Sequence, residues 1–541
     1  MRAKRAASIP SVAIGLVLAL AACGGGSPGQ AAASPSTAGQ AKPASGASAS
    51  GTPKNGGTLT LAMSKDIQVT NPLVKTISTD QVVRRLMYEP LLSLDEHGDV
   101  EPLLAESWKV SDDGKIYTFS LRKGVKFHNG QEMTAADAKF AMDYTMDRKN
   151  GARGYDLLAL VSGVQAVDKY TLQVNLKEVS SSFLPSLTSI QSFSVIPDGS
   201  LQPGVDKPAG FPPGTGPFSY VSWQPKQQLV MQRFADYWGS KAHVDKLVIR
   251  PIEDSSVAFT ALRSGDVDVV ERAPYEWVKE IKDGKLSGIG VTEARDAGYR
   301  RLVFNWADPP FNNPKLREAV AYGVNMKEIL DAAYSGFGEL ADQKYPPDNT
   351  WYIPGVPSFS YDPAKAKAAL AESGYNGQPI EMVVENASDV RTIAATIQSQ
   401  LKNIGLNITI RSLEFASQRD LIQKGQFTFD MMGSNYHEDG YTTYAELLCE
   451  SPRQRINNYA GYCNKDVDTE LHDLQRELDT AKQKALLKQI LIHEHDDLPQ
   501  GMGIFVPRFY AFRDYVKDFV TDANQSLIWS GGGLDHAWLD K

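Results

Sequence analysis

Alternating apolar and polar residues predict strands along much of the chain, and the clearest case lies between residues 103 and 147. Residues 107–110 and 116–121 have the pattern of two strands, and the Asp-Gly pair between them supplies the positive φ that a hairpin turn needs. Further on, Thr134 and Asp137 have the spacing of a capping box, which predicts the start of a helix. The pattern therefore predicts a hairpin and a capped helix, a structural unit without catalytic residues.

The second half of the chain alternates between helical and strand-like segments. The predicted elements are helices at 364–372, 390–403 and 416–424 and strands at 406–413 and 427–432. This β/α alternation predicts a partly parallel sheet. A long polar helix is predicted over 467–495, after which the chain returns through residues 503–507.

The first 22 residues have the features of an export signal. Residues 1–10 are basic, and the apolar segment 11–22 is too short to span a bilayer permanently. The segment ends in Leu-Ala-Ala-Cys followed by glycines, which resembles a bacterial lipobox, where the cysteine is lipidated and becomes the mature N-terminus. We therefore expect a signal peptide over 1–22 and a lipid on Cys23, which anchors the protein to the outer face of the bacterial cell membrane.

A tether is predicted between this anchor and the globular body, over residues 23–55. Residues 24–53 contain only Gly, Ser, Pro, Gln, Ala, Thr and one Lys, so they cannot bury a core. Such a disordered segment has a root-mean-square reach of roughly 30 Å, enough to hold a globular body away from a membrane.

Length and composition restrict the function classes. A chain of 541 residues is too long for one hydrophobic core, so two or more lobes are expected. The apolar content of 42% and charged content of 22% are typical of a globular protein. The net charge of −8, without a Lys/Arg-rich block, argues against a nucleic-acid partner.

Two cysteines remain once Cys23 is assigned to the anchor. Cys449 and Cys463 favour a disulfide, because two thiols in an exported protein are more often bridged than metal-bound. Closing this loop would stabilise the fold by roughly 3 kcal/mol. A metal site there would need further ligands, and none stands at ligand spacing. No metal or cofactor is expected.

Several enzyme motifs are absent from the sequence. It contains no G-x-S-x-G elbow, H-E-x-x-H pair, EF-hand loop or P-loop. The acidic segment 437–439 follows a predicted strand, where ligands of α/β proteins bind, although an exposed acidic loop would have the same composition. We therefore expect a binding protein and not an enzyme.

The stretch 103–147 also resembles the signature of the peptide- and nickel-binding family (family 5) of ABC-transporter solute-binding proteins. Further landmarks of that family stand in the same order: YEPLL at 88–92, GTGPF at 214–218, ADYWG at 235–239 and RPI at 250–252. Each motif alone is moderately specific for the family. Their occurrence in the same order over residues 57–541 is highly specific for it.

The resemblance implies an α/β fold of the two-lobed periplasmic-binding-protein type (type II). It also implies the extra subdomain of the peptide-binding cluster and a ligand cleft between the lobes. We expect lobe 1 over 56–298, including the subdomain at about 90–195, lobe 2 over 299–503, and a return to lobe 1 over 504–541.

The implied function is the capture of a peptide or similar small solute and its delivery to the permease subunits of an ABC importer. The protein is expected to be a monomer whose lobes close on the ligand, with chain crossings near residues 294–300 and 502–507. Alternatives are the same fold binding an oligosaccharide or a metal chelate such as a nickel complex. A secreted lipoprotein hydrolase is a third, disfavoured by the lack of a nucleophile–base signature.

The resemblance also suggests site residues. In dipeptide- and oligopeptide-binding relatives, an aspartate pairs with the peptide α-amino group. The place of that aspartate falls on or near His437, so the carboxylate is either displaced to Glu438 or Asp439 or absent. Arg391 is the candidate for binding a peptide carboxylate. The 449–463 loop resembles the disulfide loop of the dipeptide-binding branch. The candidate ligand residues are Asn305, Trp306, Tyr436, Glu438, Asp439, Arg391 and Tyr88. Trp306 could equally be a core residue that does not contact the ligand.

Overall fold

The computed structural model describes residues 52–541 except 75–77, 96, 190–192, 202–209, 295–297, 450–457, 520–527, 530 and 531. The predicted signal peptide, Cys23 and most of the predicted tether lie outside the described residues. Within the described part of the chain, no helix is both long and apolar enough to cross a membrane.

The strands, in chain order, are β1 (Thr58–Met63), β2 (Leu92–Leu94), β3 (Val100–Pro102), β4 (Ala105–Val110), β5 (Ile116–Leu121), β6 (Val161–Asp168), β7 (Thr171–Leu176), β8 (Phe218–Gln224), β9 (Gln228–Arg233), β10 (Lys246–Pro251), β11 (Val269–Val270), β12 (Ile289–Ala294), β13 (Gly298–Phe304), β14 (Glu339–Ala341), β15 (Ile380–Glu385), β16 (Ile408–Leu413), β17 (Phe429–Asn435), β18 (Gln500–Phe505), β19 (Arg508–Arg513), β20 (Val516–Lys517), β21 (Ile528–Trp529), β22 (Gly532–Gly533) and β23 (Trp538–Leu539).

The α-helices are α1 (Ser78–Met87), α2 (Ala135–Met146), α3 (Phe183–Ser186), α4 (Ser255–Ser264), α5 (Tyr275–Lys282), α6 (Pro314–Gly323), α7 (Met326–Tyr334), α8 (Pro363–Glu372), α9 (Ser388–Ile404), α10 (Phe415–Gln423), α11 (Gly440–Tyr444), α12 (Lys465–Arg476) and α13 (Thr480–Asp497). Short 3-10 helices lie at Arg148–Asn150, Arg153–Tyr155 and Ala445–Leu447.

A seven-stranded mixed sheet forms the centre of the first lobe, in the order β12-β19-β11-β1-β10-β9-β8. The central strand β1 runs parallel to both β10 and β11. Its Leu59 and Leu61 are fully buried, as expected for alternate positions of a strand that packs one face on a core.

A smaller antiparallel sheet, β4-β5-β7-β6, contains the predicted hairpin. Gly114 in its turn has φ 70°, the left-handed conformation that a glycine adopts without strain. At the start of α2, the backbone N–H of Thr134 donates to Asp137 Oδ2 at 2.8 Å, which is half of the predicted capping box. The predicted hairpin and helix are both confirmed.

A six-stranded sheet forms the centre of the second lobe, in the order β14-β18-β13-β17-β15-β16. Strands β15 and β16 are parallel and are connected by α9, whose Val390, Ile393 and Ile397 are buried in the core of this lobe. The partly parallel sheet predicted from the β/α alternation is confirmed.

The chain passes between the two large sheets at two neighbouring points. It leaves β12 of the first sheet at Ala294 and enters β13 of the second at Gly298, and it returns between Phe505 of β18 and Arg508 of β19. Because β13 pairs with β18 and β12 pairs with β19, the two crossings lie side by side. The residue limits given for the lobes stay a prediction, since sheet membership alone does not set a domain boundary.

One predicted element is wrong. The single helix over 467–495 is two helices, α12 and α13, separated by a turn at residues 477–479. Glu477 leaves the helical conformation with ψ 130°, and the Asp479 side chain accepts a hydrogen bond from the N–H of Lys482 at 3.0 Å, which caps α13. Residues 475–484 around the break are mainly polar, so the hydrophobic pattern does not mark the N-cap there.

Cys449 and Cys463 form a disulfide, with their Cα atoms 4.5 Å apart, as predicted. The mixed α/β architecture with two sheet-centred lobes likewise confirms the predicted fold class.

Candidate functional site

A cavity of about 710 Å³ lies between the two lobes, beside the chain crossings. One wall comes from the first lobe, through residues around β1, β11 and the start of α4 and α5. The opposite wall comes from β13, α9, α10 and the end of β17 in the second lobe. Its charged lining residues are Glu253, Glu271, Arg272, Glu276, Arg300, Glu385, Asp389, Arg419 and Arg508. A cavity of this volume is in the range of small-molecule sites.

The first-lobe wall contains a buried ion pair. Arg508 Nη1 lies 3.2 Å from Glu271 Oε1, and the two side chains are only 7% and 1% exposed. Glu271 follows β11 and Arg508 begins β19, so the antiparallel pairing of these strands places the two side chains together. Ser64 Oγ donates to the other carboxylate oxygen of Glu271 at 3.4 Å. A charge-assisted contact of this kind fixes the orientation of both groups.

The second-lobe wall contains a similar pair. Arg300 Nη2 donates to Asp389 Oδ2 at 2.9 Å, and the Tyr334 hydroxyl donates to the same oxygen at 3.0 Å. Burial raises the pKa of Tyr334, so its hydroxyl stays protonated as a donor. Burial alone would lower the pKa of Arg300, but the pKa is raised overall because the Asp389 carboxylate stabilises the charged guanidinium.

Arg419 on α10 is held by aromatic and sulfur contacts. Its Nη2 donates to the Tyr459 hydroxyl at 2.6 Å, and its guanidinium carbon lies 4.8 Å from the centre of the Tyr459 ring. Its Nη1 lies 3.9 Å from Met432 Sδ. The cation therefore has a defined position at the cavity wall.

A buried carboxyl group lies beneath the second-lobe wall. Gln418, which lines the cavity, donates from Nε2 to Asp430 Oδ2 at 2.8 Å. Burial raises the pKa of Asp430 to about 8, so this group is largely neutral near pH 7. In the described part of the chain, no group of three or more His, Cys, Asp or Glu side chains is placed to hold a metal ion.

None of the seven predicted ligand residues is among the described residues that line this cavity. Asn305 is buried and donates from Nδ2 to the carbonyls of Gly425 and Phe427 at 3.1 and 2.9 Å. Trp306 donates from Nε1 to the carbonyl of Asp497 at 3.2 Å. Both side chains tie segments of the second lobe together, and their contact with a ligand stays a prediction.

Tyr88 and Arg391 also lie away from the cavity. Tyr88 is 1% exposed in the core of the first lobe, where its hydroxyl donates to the carbonyl of Pro212 at 2.8 Å. Arg391 is exposed on α9 and donates from Nη1 to Asn386 Oδ1 at 2.8 Å. The neighbouring Asp389 and Thr392 line the cavity instead, because successive residues of a helix point in different directions.

The structure brings Tyr436, Glu438 and Asp439 together on the loop after β17. Tyr436 packs against Tyr345 with ring centres 5.2 Å apart. Asp439 is buried, caps α11 and accepts a hydrogen bond from Ser182 Oγ at 2.7 Å. Glu438 lies near enough to Arg153 to raise its pKa against the larger, lowering effect of burial. This loop contacts the part of lobe 1 around α3, whereas the preceding residue 435 lines the cavity.

The sequence interpretation missed Glu271, Arg300, Asp389 and Arg508. One signal was available: Arg300 and Arg301 form a charged pair inside an apolar strand, next to a predicted crossing. Because successive side chains of a strand point to opposite faces of the sheet, Arg300 lines the cavity wall and Arg301 is buried in the interior.

Comparison with known proteins agrees with the fold. The model of the bacterial extracellular solute-binding proteins, family 5, matches residues 99–450. The dipeptide-binding protein of Escherichia coli is 30% identical over 453 residues, which cover 78% of this chain and 84% of the relative. The glutathione-binding protein GsiB of Pectobacterium atrosepticum is 28% identical, with 76% of this chain and 81% of the relative covered.

Solved structures show the same fold. The periplasmic binding protein DppA of Helicobacter pylori, in complex with the peptide STSA, has a TM-score of 0.75 and 25% identity, covering 90% of this chain and 99% of that protein. NikA of Brucella suis, in complex with Fe(III)-EDTA, has a TM-score of 0.80 at 21% identity, covering 90% of this chain and all of that protein. The ordered landmarks, the two-lobed fold and these matches agree: the chain belongs to family 5 of the bacterial extracellular solute-binding proteins.

Proposed function

We propose that this protein captures a peptide, or a small solute of similar polarity, in the cavity between its lobes and delivers it to an ABC importer. The observation that carries this proposal is the charged cavity of about 710 Å³ beside the two chain crossings. Hinge bending at the crossings would let the lobes close over the solute, as domain closure does in other binding proteins.

The chemistry of the cavity wall supports a zwitterionic solute. Carboxylates and guanidinium groups line both lobes, and a solute with charges of both signs can pair with each kind of group as water leaves. Pairing matters because a desolvated charge without a partner is costly. Relatives named for binding a dipeptide and glutathione point in the same direction.

A metal chelate is the second candidate. Proteins of this fold have been solved with Ni(L-His) and with Fe(III)-EDTA, and the carboxylates of a chelate would suit the arginines of the cavity. An oligosaccharide has less support, because Trp306, an aromatic candidate for contacting the ligand, packs against Tyr462 with ring centres 5.3 Å apart and does not line the cavity.

The proposal includes the location and the partners. Lipid on Cys23 would anchor the protein at the outer face of the cell membrane, and the tether would let the body reach solute and importer. The permease subunits would recognise the closed, monomeric protein. The protein would release its solute unchanged, without turnover.

Isothermal titration calorimetry on protein unfolded and refolded to remove co-purified solute tests the proposal. The panel contains di- to pentapeptides, cello-oligosaccharides and nickel chelates. Saturable one-to-one binding of a peptide supports peptide capture. Binding of a chelate alone supports the second candidate. Binding of a sugar alone, or turnover of an ester or peptide substrate, would overturn both.

A further inference from the structure

We infer that Arg419 selects for an anionic group on the solute, and that the side chain of Tyr459 positions the guanidinium group of Arg419. This inference rests on the proposed function and deepens it, because it specifies a chemical group that the solute must present to the second-lobe wall. The group is a carboxylate or another oxyanion.

Arg419 differs from the other arginines of the cavity in its partners. Arg300 pairs with Asp389 at 2.9 Å, and Glu271 lies 3.2 Å from Arg508 and 3.8 Å from Arg272. In the described part of the chain, no carboxylate oxygen lies within 4.0 Å of a side-chain nitrogen of Arg419. Its contacts there are the Tyr459 hydroxyl, the Tyr459 ring and Met432 Sδ.

These contacts leave donor capacity unused. A guanidinium has five N–H groups in a planar fork. One of them donates to Tyr459 and another has only the weak acceptor sulfur of Met432. A half-buried cation with donors to spare gains most from an anion that replaces the lost water, and a bidentate carboxylate matches the fork.

Tyr459 has the features of a positioning residue. It is 4% exposed in a core of the second lobe and lies inside the loop that Cys449 and Cys463 close. Its ring supports the face of the guanidinium, and its hydroxyl fixes the rotation of the fork. Tyr459 therefore holds the guanidinium of Arg419 in one orientation at the cavity wall.

The test uses the full chain in detergent and three pools of tripeptides with otherwise neutral side chains. The first pool has free C-terminal carboxylates, the second has C-terminal amides, and the third has amides with one glutamate. Native mass spectrometry measures retention of each pool by the wild type, by Arg419→Gln, by Tyr459→Phe and by the control Arg411→Gln. Arg411 is an exposed arginine on β16, outside the cavity, 3.6 Å from Glu381.

We expect the wild type and Arg411→Gln to retain the first or the third pool at least about tenfold more strongly than the second, the size of effect that a hydrogen bond to a charged group has. Preference for the first pool assigns the group to a peptide terminus, and preference for the third assigns it to a side chain. Arg419→Gln should lose the discrimination, and Tyr459→Phe should reduce it, with melting temperatures close to the wild type.

Equal retention of all three pools, or discrimination that persists in Arg419→Gln, would overturn the inference while leaving peptide capture intact. Retention of no pool would overturn peptide capture and the inference together. A Tyr459→Phe protein that keeps full discrimination would remove the positioning role of Tyr459.

Discussion

Ser182 Oγ donates a hydrogen bond to Asp439 Oδ1 at 2.7 Å, across 257 residues of sequence. The same carboxylate accepts from the backbone N–H of Thr442 at 2.8 Å as the N-cap of α11. Asp439 therefore joins the N-terminus of α11 in the second lobe to the segment around α3. Burial raises its pKa, although Thr442 and Ser182 act in the opposite direction.

Replacement of Asp439 by Ala should lower the free energy of unfolding by roughly 1–3 kcal/mol, because it removes a helix cap and a buried hydrogen bond. Urea denaturation measures the loss. Asp362→Ala is the matched control: Asp362 caps α8 within the second lobe and should cost only the cap, about 1 kcal/mol.

A double-mutant cycle with Ser182→Ala separates the two contributions of Asp439. A coupling energy of at least about 0.5 kcal/mol is expected between residues in direct contact. Strictly additive losses would show that the Ser182–Asp439 hydrogen bond contributes nothing to stability.

Glu446 is the shared partner of two buried cations. Its carboxylate accepts from Arg301 Nη2 at 2.8 and 2.9 Å and from Lys344 Nζ at 2.5 Å. Glu446→Gln removes the carboxylate that both cations contact most closely and leaves Lys344 with Glu494 at 3.8 Å, so a loss of about 3–5 kcal/mol in the free energy of unfolding is expected. The exposed pair Lys327–Asp331 provides the control, since Asp331→Asn should change stability by about 0.5 kcal/mol or less.

The contacts of Glu446 with Arg301 and Lys344 also predict that the stability of the protein decreases in acid. Burial alone would raise the pKa of Glu446, but Arg301 and Lys344 lower it to about 2. A depressed pKa means that the stabilisation is present above the ordinary glutamate pKa and is lost as the pH falls towards 2. Unfolding curves of wild type and Glu446→Gln should therefore converge on acidification, and a constant difference between them would contradict the assignment.

Glu89 in the YEPLL landmark should make stability depend on pH in the opposite direction. It is buried, and it accepts from the Tyr237 hydroxyl and from Trp238 Nε1, each at 2.9 Å. Burial raises its pKa to about 7, although Trp238 and its other partners act against the shift. The folded state therefore binds this proton more tightly than the unfolded chain, and stability is lost as the pH rises through about 7.

Glu89→Gln removes this titration. The stability of the variant relative to the wild type should improve by up to about 3 kcal/mol between pH 4.5 and pH 8, on the scale of 1.36 kcal/mol per pKa unit. Urea denaturation at several pH values measures the difference, and Glu101→Gln, on the short strand β3, is the control. A pH-independent difference between Glu89→Gln and the wild type would refute the raised pKa.

Cys23→Ser should release the protein from the membrane, because the predicted lipid is attached through the thiol. Membrane fractionation and the intact mass of the mature N-terminus measure the effect. Ser27→Ala, four residues further along, should leave the protein in the membrane fraction. A Cys23→Ser protein that still sediments with the membrane would contradict the lipid anchor.

The parts of the fold that could be predicted from the sequence depend on local chemistry. The Asp113–Gly114 turn and the Thr134–Asp137 box need only neighbouring residues, so their pattern is visible without tertiary structure. The break between α12 and α13 is also local, since Asp479 caps α13, but the residues on both sides of it are mainly polar and the hydrophobic pattern does not mark the boundary.

The cavity residues could not be found in the same way. Arg508 and Glu271 are 237 positions apart, and Arg300 and Asp389 are 89 apart, so their pairing depends on how the strands are ordered. Asp439 shows that a local signal can fit two roles: an acidic residue after a strand suggests a ligand contact, and its position three residues before Thr442 fits the helix cap that the structure shows. Its contact with a ligand stays a prediction.

The position of β19 determines when the first lobe can be completed. This strand lies between β11 and β12 in the seven-stranded sheet, although it comes from the last 34 residues of the chain. Until Arg508–Arg513 has been synthesised and exported, β11 and β12 each have an unpaired edge, and Glu271 lacks its ion-pair partner Arg508. The N-terminal half therefore cannot mature ahead of the C-terminal half, and a chain that ends before β19 would expose strand edges suited to aggregation.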